Sequence, residues 1–469
     1  MVADGGAVRG ERALAMSGAL LLLVCFCSGG NSAQGNWGTT ISGLLAVPLL
    51  VVAAHRSGAF ARRGLVRWGA LVAAAIGLLP LLQLLPIPDW LWNLPLARRP
   101  LLQDLEAAGI VAPDRRWSLT PGATERDLWF LLPGLALFFC ALAVRRSAWR
   151  PMLWLVVGLA LANLLFAAAQ FAAGKDSILN PYPDFAPAWG GIFANTNHQA
   201  DLLVIGLMLA LMFLAHAWRR SRETGHFGVA FVVPATLALM FVAALPVVGS
   251  RAGVIVAMIM LMGVTLGSGL ARLRAIRESR TLQIGALLSV VVFVIGLQAA
   301  VGWLRIDAGD PTVKYPRSRM LIETLRVGAE HAPLGAGVGG FMPAYQQGAR
   351  NEGLMNVYVN NAHNDYAQWW LEAGIAGIAI TLLALGVLVS TLIRLLRLPP
   401  GSGTRSSGLA AMMGIGVIVL HSMVDYPLRT QALMAIFAVL AGIAVAAASA
   451  EPVSPRRRGR RRLGASPAE

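Results

Sequence analysis

The chain has 469 residues, 57% of them hydrophobic and only 13% charged, with a formal net charge of +16, and its mean hydropathy is +0.64. That balance excludes an ordinary soluble globular protein and points to many membrane spans. It does not point to nucleic acid either, because the basic residues recur as short clusters between apolar runs instead of gathering on one surface.

A span takes about 20 apolar residues, and about twelve such runs can be counted. They lie near 13–29, 38–54, 66–86, 127–144, 151–173, 199–217, 228–248, 252–270, 282–303, 374–393, 408–424 and 431–449. Arg9 and Arg12 precede the first run as they would in a signal peptide, but no small-residue cleavage site follows, so the run is expected to be retained. Cys25, Cys27 and Cys140 all lie in apolar runs and read as buried small side chains rather than as a disulfide, a metal site or a nucleophile.

Orientation follows from the connections. Arg56, Arg62, Arg63 and Arg67 occupy the second, Arg145, Arg146 and Arg150 the fourth, and Arg219, Arg220 and Arg222 the sixth. Arg272, Arg274, Arg277 and Arg280 mark the eighth, Arg394, Arg397 and Arg405 the tenth, and the 450–469 tail carries Arg456–Arg458 and Arg460–Arg462. Basic even-numbered connections place both termini in the cytoplasm, with the tail as a topology and lipid-headgroup anchor. The expected fold is therefore an all-α integral membrane protein of about 12 transmembrane helices. It forms one polytopic domain over 1–469, without an internal repeat or a separate soluble domain.

Two of the external connections are long, 87–126 and the 304–363 loop between helices 9 and 10, and loops of that length are usually functional. The first carries PIPDWLWNLP and RRWSLTPGAT, which suit an ordered cap on the interface. The shortest external connection is Gly249–Gly253, GSRAG. An unpaired arginine at the bilayer costs about 2.5–3.5 kcal/mol on insertion scales, so Arg251 implies an anionic partner or a reach to lipid phosphate.

Arg317, Arg319 and Arg326 also stand against the orientation trend, in the large loop. If 318–330 is helical, Arg319, Glu323 and Arg326 share a face, either as a site or as a solvated, salt-bridged surface. The glycine run Gly335–Gly340 has no following Lys-Ser/Thr and no preceding strand, so it is no nucleotide loop. Its use is either close backbone packing or amides offered to a ligand.

The stretch Asn360–Gly377, NNAHNDYAQWWLEAGIAG, is the most polar sequence set directly against a long apolar run. With Asn361 as cap and a helix starting at Ala362, Asn364, Gln368 and Glu372 make one polar stripe with Asp365 beside it. His363 then lies on the first turn, roughly 100° away, where the positive helix end keeps its imidazole neutral, as a general base requires. The same end would welcome a phosphate. Gly374 and Gly377 break the pattern as the next span begins.

WGGIFANTNHQA places Asn195, Asn197 and His198 at one external mouth, and HSMVDYPLR places His421, Asp425 and Arg429 at another. Isolated polar residues at span ends usually bond to neighbouring helices. The argument for a site is that all of these fall on the same side as Arg251, Arg319 and His363.

On these residues the chain resembles the O-antigen ligase and polymerase family of bacterial membrane glycosyl transferases. His363 to Gly377 reads H-N-x9-G-x-x-G, GSRAG is similar to the family's serine–arginine–glycine turn, and Arg319 followed by Pro333-Leu-Gly-Ala-Gly and Phe341 resembles its loop arginine and P-x-x-G-x-G-x-F segment. GIFANTNHQA and HSMVDYPL are similar to family segments as well. The likeness runs from about residue 80 to 430, with 190–430 as the O-antigen ligase-related region.

The resemblance implies a GT-C-like fold in the bacterial inner membrane and an active site facing the periplasm. It implies transfer of a glycan from an undecaprenyl-pyrophosphate-linked donor to an acceptor. His363 is the implied base. Arg251 and one of the loop arginines Arg317, Arg319 and Arg326 hold the pyrophosphate. Asn364, Asp365, Glu372, Asn195, Asn197, His198, His421, Asp425 and Arg429 are expected to support them. No cofactor and no metal are called for, since arginines can stabilise the departing charge, and no D-x-D pair stands in the external loops. The acceptor is lipid A core in a ligase, a second carrier-linked glycan in a polymerase, or protein in a third relative. From another class, a transporter of lipid-linked sugars would place ionisable groups at the midplane and often show repeats, and neither is apparent in the sequence.

Overall fold

In hydrocarbon every backbone N–H and C=O has to find a partner within its own segment, so long apolar runs fold as helices. The computed structural model describes residues 2–32, 37–110, 115–182, 189–269, 317–350 and 359–450, and no strand occurs among them. The helices are α1 Val2–Ser28, α2 Trp37–Ser57, α3 Leu65–Gln83, α4 Asp89–Trp92, α5 Arg98–Ala107, α6 Pro121–Ala143, α7 Arg146–Ala173 and α8 Thr196–Thr224. They continue with α9 Val229–Val248, α10 Arg251–Gly269, α11 Arg317–Glu330, α12 Phe341–Gly348, α13 Asp365–Arg397, α14 Gly403–His421 and α15 Gln431–Ala448.

Among the described residues, 10 helices are long and apolar enough to cross a membrane: α1, α2, α3, α6, α7, α8, α9, α13, α14 and α15. The predicted runs 13–29 through 252–270, and 374–393 onward, each fall on a helix. That at 252–270 lies on α10, whose apolar stretch Arg251–Val264 is shorter than a full span. The predicted run at 282–303 lies outside the described residues. The chain is an all-α integral membrane protein.

The last helix is the hub of the bundle. α15 reads QALMAIFAVLAGIAVAAA, and its window is 89% buried against 17% for α13 at the periphery. Small side chains let neighbouring backbones approach closely. A Cβ on Gly442 would meet the Ala141 methyl and the Phe138 carbonyl at 2.6 Å each.

One kink organises the end of the bundle that carries the candidate site. Gly374 inside α13 has φ 59 and ψ −144, a conformation open essentially to glycine alone. The kink turns the Leu371 and Glu372 carbonyls outward, and the glycine run receives them: Ala336 donates its N–H to Leu371 and Gly337 to Glu372, each at 2.9 Å. Gly335 and Gly337 have φ +77 and +108, and a Cβ at Gly335 would strike the Glu372 carbonyl at 2.4 Å. Of the two uses open to the run, close packing is the one realised.

The described residues of the 87–126 segment, 87–110 and 115–126, are laced to the same run. The Trp117 indole donates to the Leu334 carbonyl (2.9 Å), Thr124 Oγ1 to Val338 (2.8 Å), and the buried Arg98 guanidinium to Trp117 and Gly335 (2.6 and 3.2 Å). Burial pulls the Arg98 guanidinium down to about 10.

Candidate active site

The helix reading around His363 needs a correction. The cap of α13 is Asn364, whose side chain accepts the Ala367 N–H at 2.9 Å, and the helix starts at Asp365 rather than at Ala362. Asn364 wins the cap because its Oδ1 takes the Ala367 N–H while its amide reaches the Met423 carbonyl at 2.7 Å, tying the helix start to the chain after α14. His363 therefore precedes the helix, and its φ of +50 is a left-handed value unusual outside glycine. Its ring faces Asp425.

Asp425 is the centre of the site. Its side chain is 0% exposed, with Oδ1 3.3 Å from His363 Nδ1 and 3.9 Å from His198 Nε2. Its Oδ2 lies 3.5 Å from an Arg317 nitrogen and accepts from the Asn197 amide. The Tyr426 N–H donates to Oδ1 at 2.9 Å. Burial alone would raise this carboxyl, but the contacts with His363, His198 and Arg317 outweigh it and hold Asp425 well below the usual carboxylate range. At neutral pH it is a fixed negative charge behind the His363 ring.

A second chain of bonds joins this carboxylate to the GSRAG turn. Ser250 Oγ accepts the Gly253 N–H at 3.0 Å, capping α10, and donates to Asn197 Oδ1 at 2.7 Å. Asn197 passes the link on to Asp425. Asn195 caps α8 by accepting the Asn197 N–H at 2.9 Å, which fixes the Asn197 side chain over the carboxylate. Arg251 is thus held at the first residue of α10, one position after the serine.

Tyr426 stands edge-on to both imidazoles, 4.8 Å from His363 and 4.9 Å from His198. Burial and the neighbouring Asp425 push its phenol up to about 12, so it is a neutral hydroxyl and no base.

The other predicted residues separate into distinct roles. Arg429 is buried against Glu372 (2.8 Å), Asp365 (3.6 Å) and Asp127 (3.8 Å). Burial by itself would lower this guanidinium, but the three carboxylates more than offset it. Asp365 also accepts from Ser422 Oγ and the Leu428 N–H, at 2.8 and 3.2 Å, and so clamps both ends of the loop that carries Asp425. Gln368 bonds Glu372, Asn361 and the Ala362 N–H, which fixes the backbone on either side of His363. His421 takes Asp201, and not Asp425, as its hydrogen-bond partner. Arg326 is held by Glu323 and Glu330, at 2.7 and 2.6 Å, and is the salt-bridged alternative realised. Arg319 is exposed on α11.

Asp127 and Asp201 were not singled out from the sequence, and Ser250 and Tyr426 entered there only as letters of GSRAG and HSMVDYPL. Asp201 carried a usable signal, being an acid inside the apolar run 199–217, where ionisable groups are expensive and paired.

Residues 235–382 match the family model described as O-Antigen ligase. Over these residues the chain is similar to O-antigen ligases. Members of that family are glycosyl transferase-type enzymes, ligases or polymerases. No curated protein matches the chain. The O-antigen ligase segment includes Arg251, Arg317, Arg319, the glycine run and His363, while Asp425, Asn197 and Arg429 come from outside it and are brought in by folding.

Proposed function

We propose that this O-antigen ligase-like chain transfers a glycan from an undecaprenyl-pyrophosphate carrier to an acceptor hydroxyl at the periplasmic face of the bacterial inner membrane. One observation carries the reading: His363, Arg317 and, through Asn197 and Ser250, the Arg251 turn all converge on the buried Asp425 carboxylate.

That arrangement supports a stepwise account. With Nδ1 turned to Asp425, His363 has Nε2 left for the acceptor hydroxyl. His363 takes the hydroxyl proton as the oxygen attacks the anomeric carbon, and the glycosyl–phosphate bond breaks with its electron pair going to the carrier pyrophosphate. Asp425 stabilises the imidazolium that forms, as the buried acid of a hydrolase triad does. Direct attack inverts the anomeric centre. Arg317 takes first place among the loop arginines. It spends donors on Asp425 and the Val424 carbonyl while its side chain stays 47% exposed, and a guanidinium has five donors in all. Arg251 and Arg319 complete the cationic surroundings for the departing pyrophosphate. Arg326, already spent on two carboxylates, is assigned to the support of α11 instead.

The acceptor is lipid A core if the chain is a ligase and a second carrier-linked glycan if it is a polymerase. Product analysis with purified protein, carrier-linked donor and each acceptor in turn distinguishes these. His363→Ala should abolish transfer with either acceptor while melting stays near wild type. Near-normal turnover would overturn the base assignment. Activity lost to a chelator and restored by a divalent ion would overturn a leaving group stabilised by arginine alone.

A further inference from the structure

The opposite end of the bundle holds a polar cavity that glycan transfer does not use. α6 runs from Pro121, with Thr124 in its first turn bonded to Val338, to Ala143, and α15 runs from Gln431, close to Arg429 in the chain, to Ala448. These helices of 23 and 18 residues carry the chain about 27–35 Å at 1.5 Å per residue, which is close to the thickness of a bilayer's hydrocarbon. Where they end, a cavity of about 650 Å³ opens between the α2–α3 connection, the α6–α7 connection and the end of α15. That volume falls within the usual range of small-molecule sites.

The walls of the cavity are of two kinds. Arg62, Arg145 and Arg146 supply the charge, and Arg145 also pairs with Glu11. α7 begins at the rim with no acid in its first turn and no side-chain cap, so its positive end adds to the field. Leu142, Ala143 and Ala446 form an apolar wall. A bare anion has no use for such a wall. A phosphate attached to a glycerol and acyl chains uses both, and basic pockets between spans are where phosphorylated lipid head groups bind.

We propose that this cavity binds the phosphate-bearing head group of an anionic phospholipid, with Arg62 and Arg146 as its charged contacts. The site is independent of donor and acceptor chemistry, and it locks the ends of α6, α7 and α15 on the face away from His363.

The test uses the full-length protein in neutral detergent, titrated with phosphatidylglycerol or phosphatidylcholine and read by native mass spectrometry and by melting temperature. Phosphatidylglycerol should bind preferentially and raise the melting temperature, and 0.5 M salt should weaken both effects. Arg62→Gln with Arg146→Gln should weaken retention of the first anionic lipid, about fivefold per arginine. A variant with Arg456, Arg457, Arg458, Arg460, Arg461 and Arg462 changed to glutamine should keep that first lipid. Arg62→Lys with Arg146→Lys should keep much of it, which separates charge from misfolding. Equal binding of both lipids by the wild type, or a preference that disappears with the tail arginines and not with Arg62 and Arg146, would overturn the proposal. Displacement by millimolar inorganic phosphate would also overturn it, in favour of a free-anion site.

Discussion

Replacing Asp425 with asparagine should remove most of the catalytic advantage of His363 while leaving the loop in place. The substitution keeps the shape of the side chain and takes away only its charge. In the proposed transition state His363 is an imidazolium 3.3 Å from Oδ1. Two unit charges at that distance interact by about 5 kcal/mol at an effective dielectric of 20. The His363 side chain is 27% exposed, so water screens part of this, and a loss of roughly 3–5 kcal/mol is expected, about 10²–10⁴-fold in rate. The assay is single-turnover transfer from carrier-linked donor at saturating acceptor, with donor affinity measured separately by equilibrium binding. His363→Ala should be at least as severe, and the double variant no worse than the worse single, because residues acting as one unit are not additive. Transfer by Asp425→Asn within about threefold of wild type, a difference of less than 1 kcal/mol, alongside an inactive His363→Ala, would show that the carboxylate does not act through the imidazole.

Asp425 also fixes a pH dependence of stability. Its folded pKa is depressed, so its contribution is present above the unfolded carboxylate value, about 3.9, and is lost as pH falls through the folded value. The melting difference between wild type and Asp425→Asn should be flat from about pH 5 to 8 and shrink only below about pH 4. Arg326→Ala should cost roughly 1 kcal/mol of stability through the lost Glu323 and Glu330 pairs and leave donor affinity unchanged. Arg317→Ala should weaken donor binding about tenfold or more with little change in melting, as expected for a lost charge-assisted bond. Gly374→Ala should destabilise by roughly 1–3 kcal/mol from backbone strain alone, with a further loss because its Cβ would lie 2.2 Å from the Pro333 carbonyl.

The sequence by itself determined the membrane character, pointed to the described helices and nominated most residues of the candidate site. Each of these is a local property. A run of apolar residues has to be a helix in lipid wherever its neighbours lie, and an arginine in GSRAG or a histidine in NNAHND stands out from its immediate flanks. The packing use of Gly335–Gly340 was legible for the same reason, as one of two uses open to a glycine run.

What tertiary structure alone decided is which of these residues work together. His421, Asp425 and Arg429 lie within one nine-residue stretch, HSMVDYPLR, yet they face Asp201, His363 and the Glu372–Asp365–Asp127 cluster respectively. The single turn at Pro427–Arg429 and the end of α14 send consecutive side chains in different directions, and no spacing rule predicts what stands opposite. The start of α13 moved from Ala362 to Asp365 because Asn364 had a second bond available, to a carbonyl nearly 60 residues away in the chain. That shift took His363 off the helix and onto a buried carboxylate. Pairings between distant segments are set by how α8, α13 and α14 pack, and that packing is where the partner of the histidine was chosen.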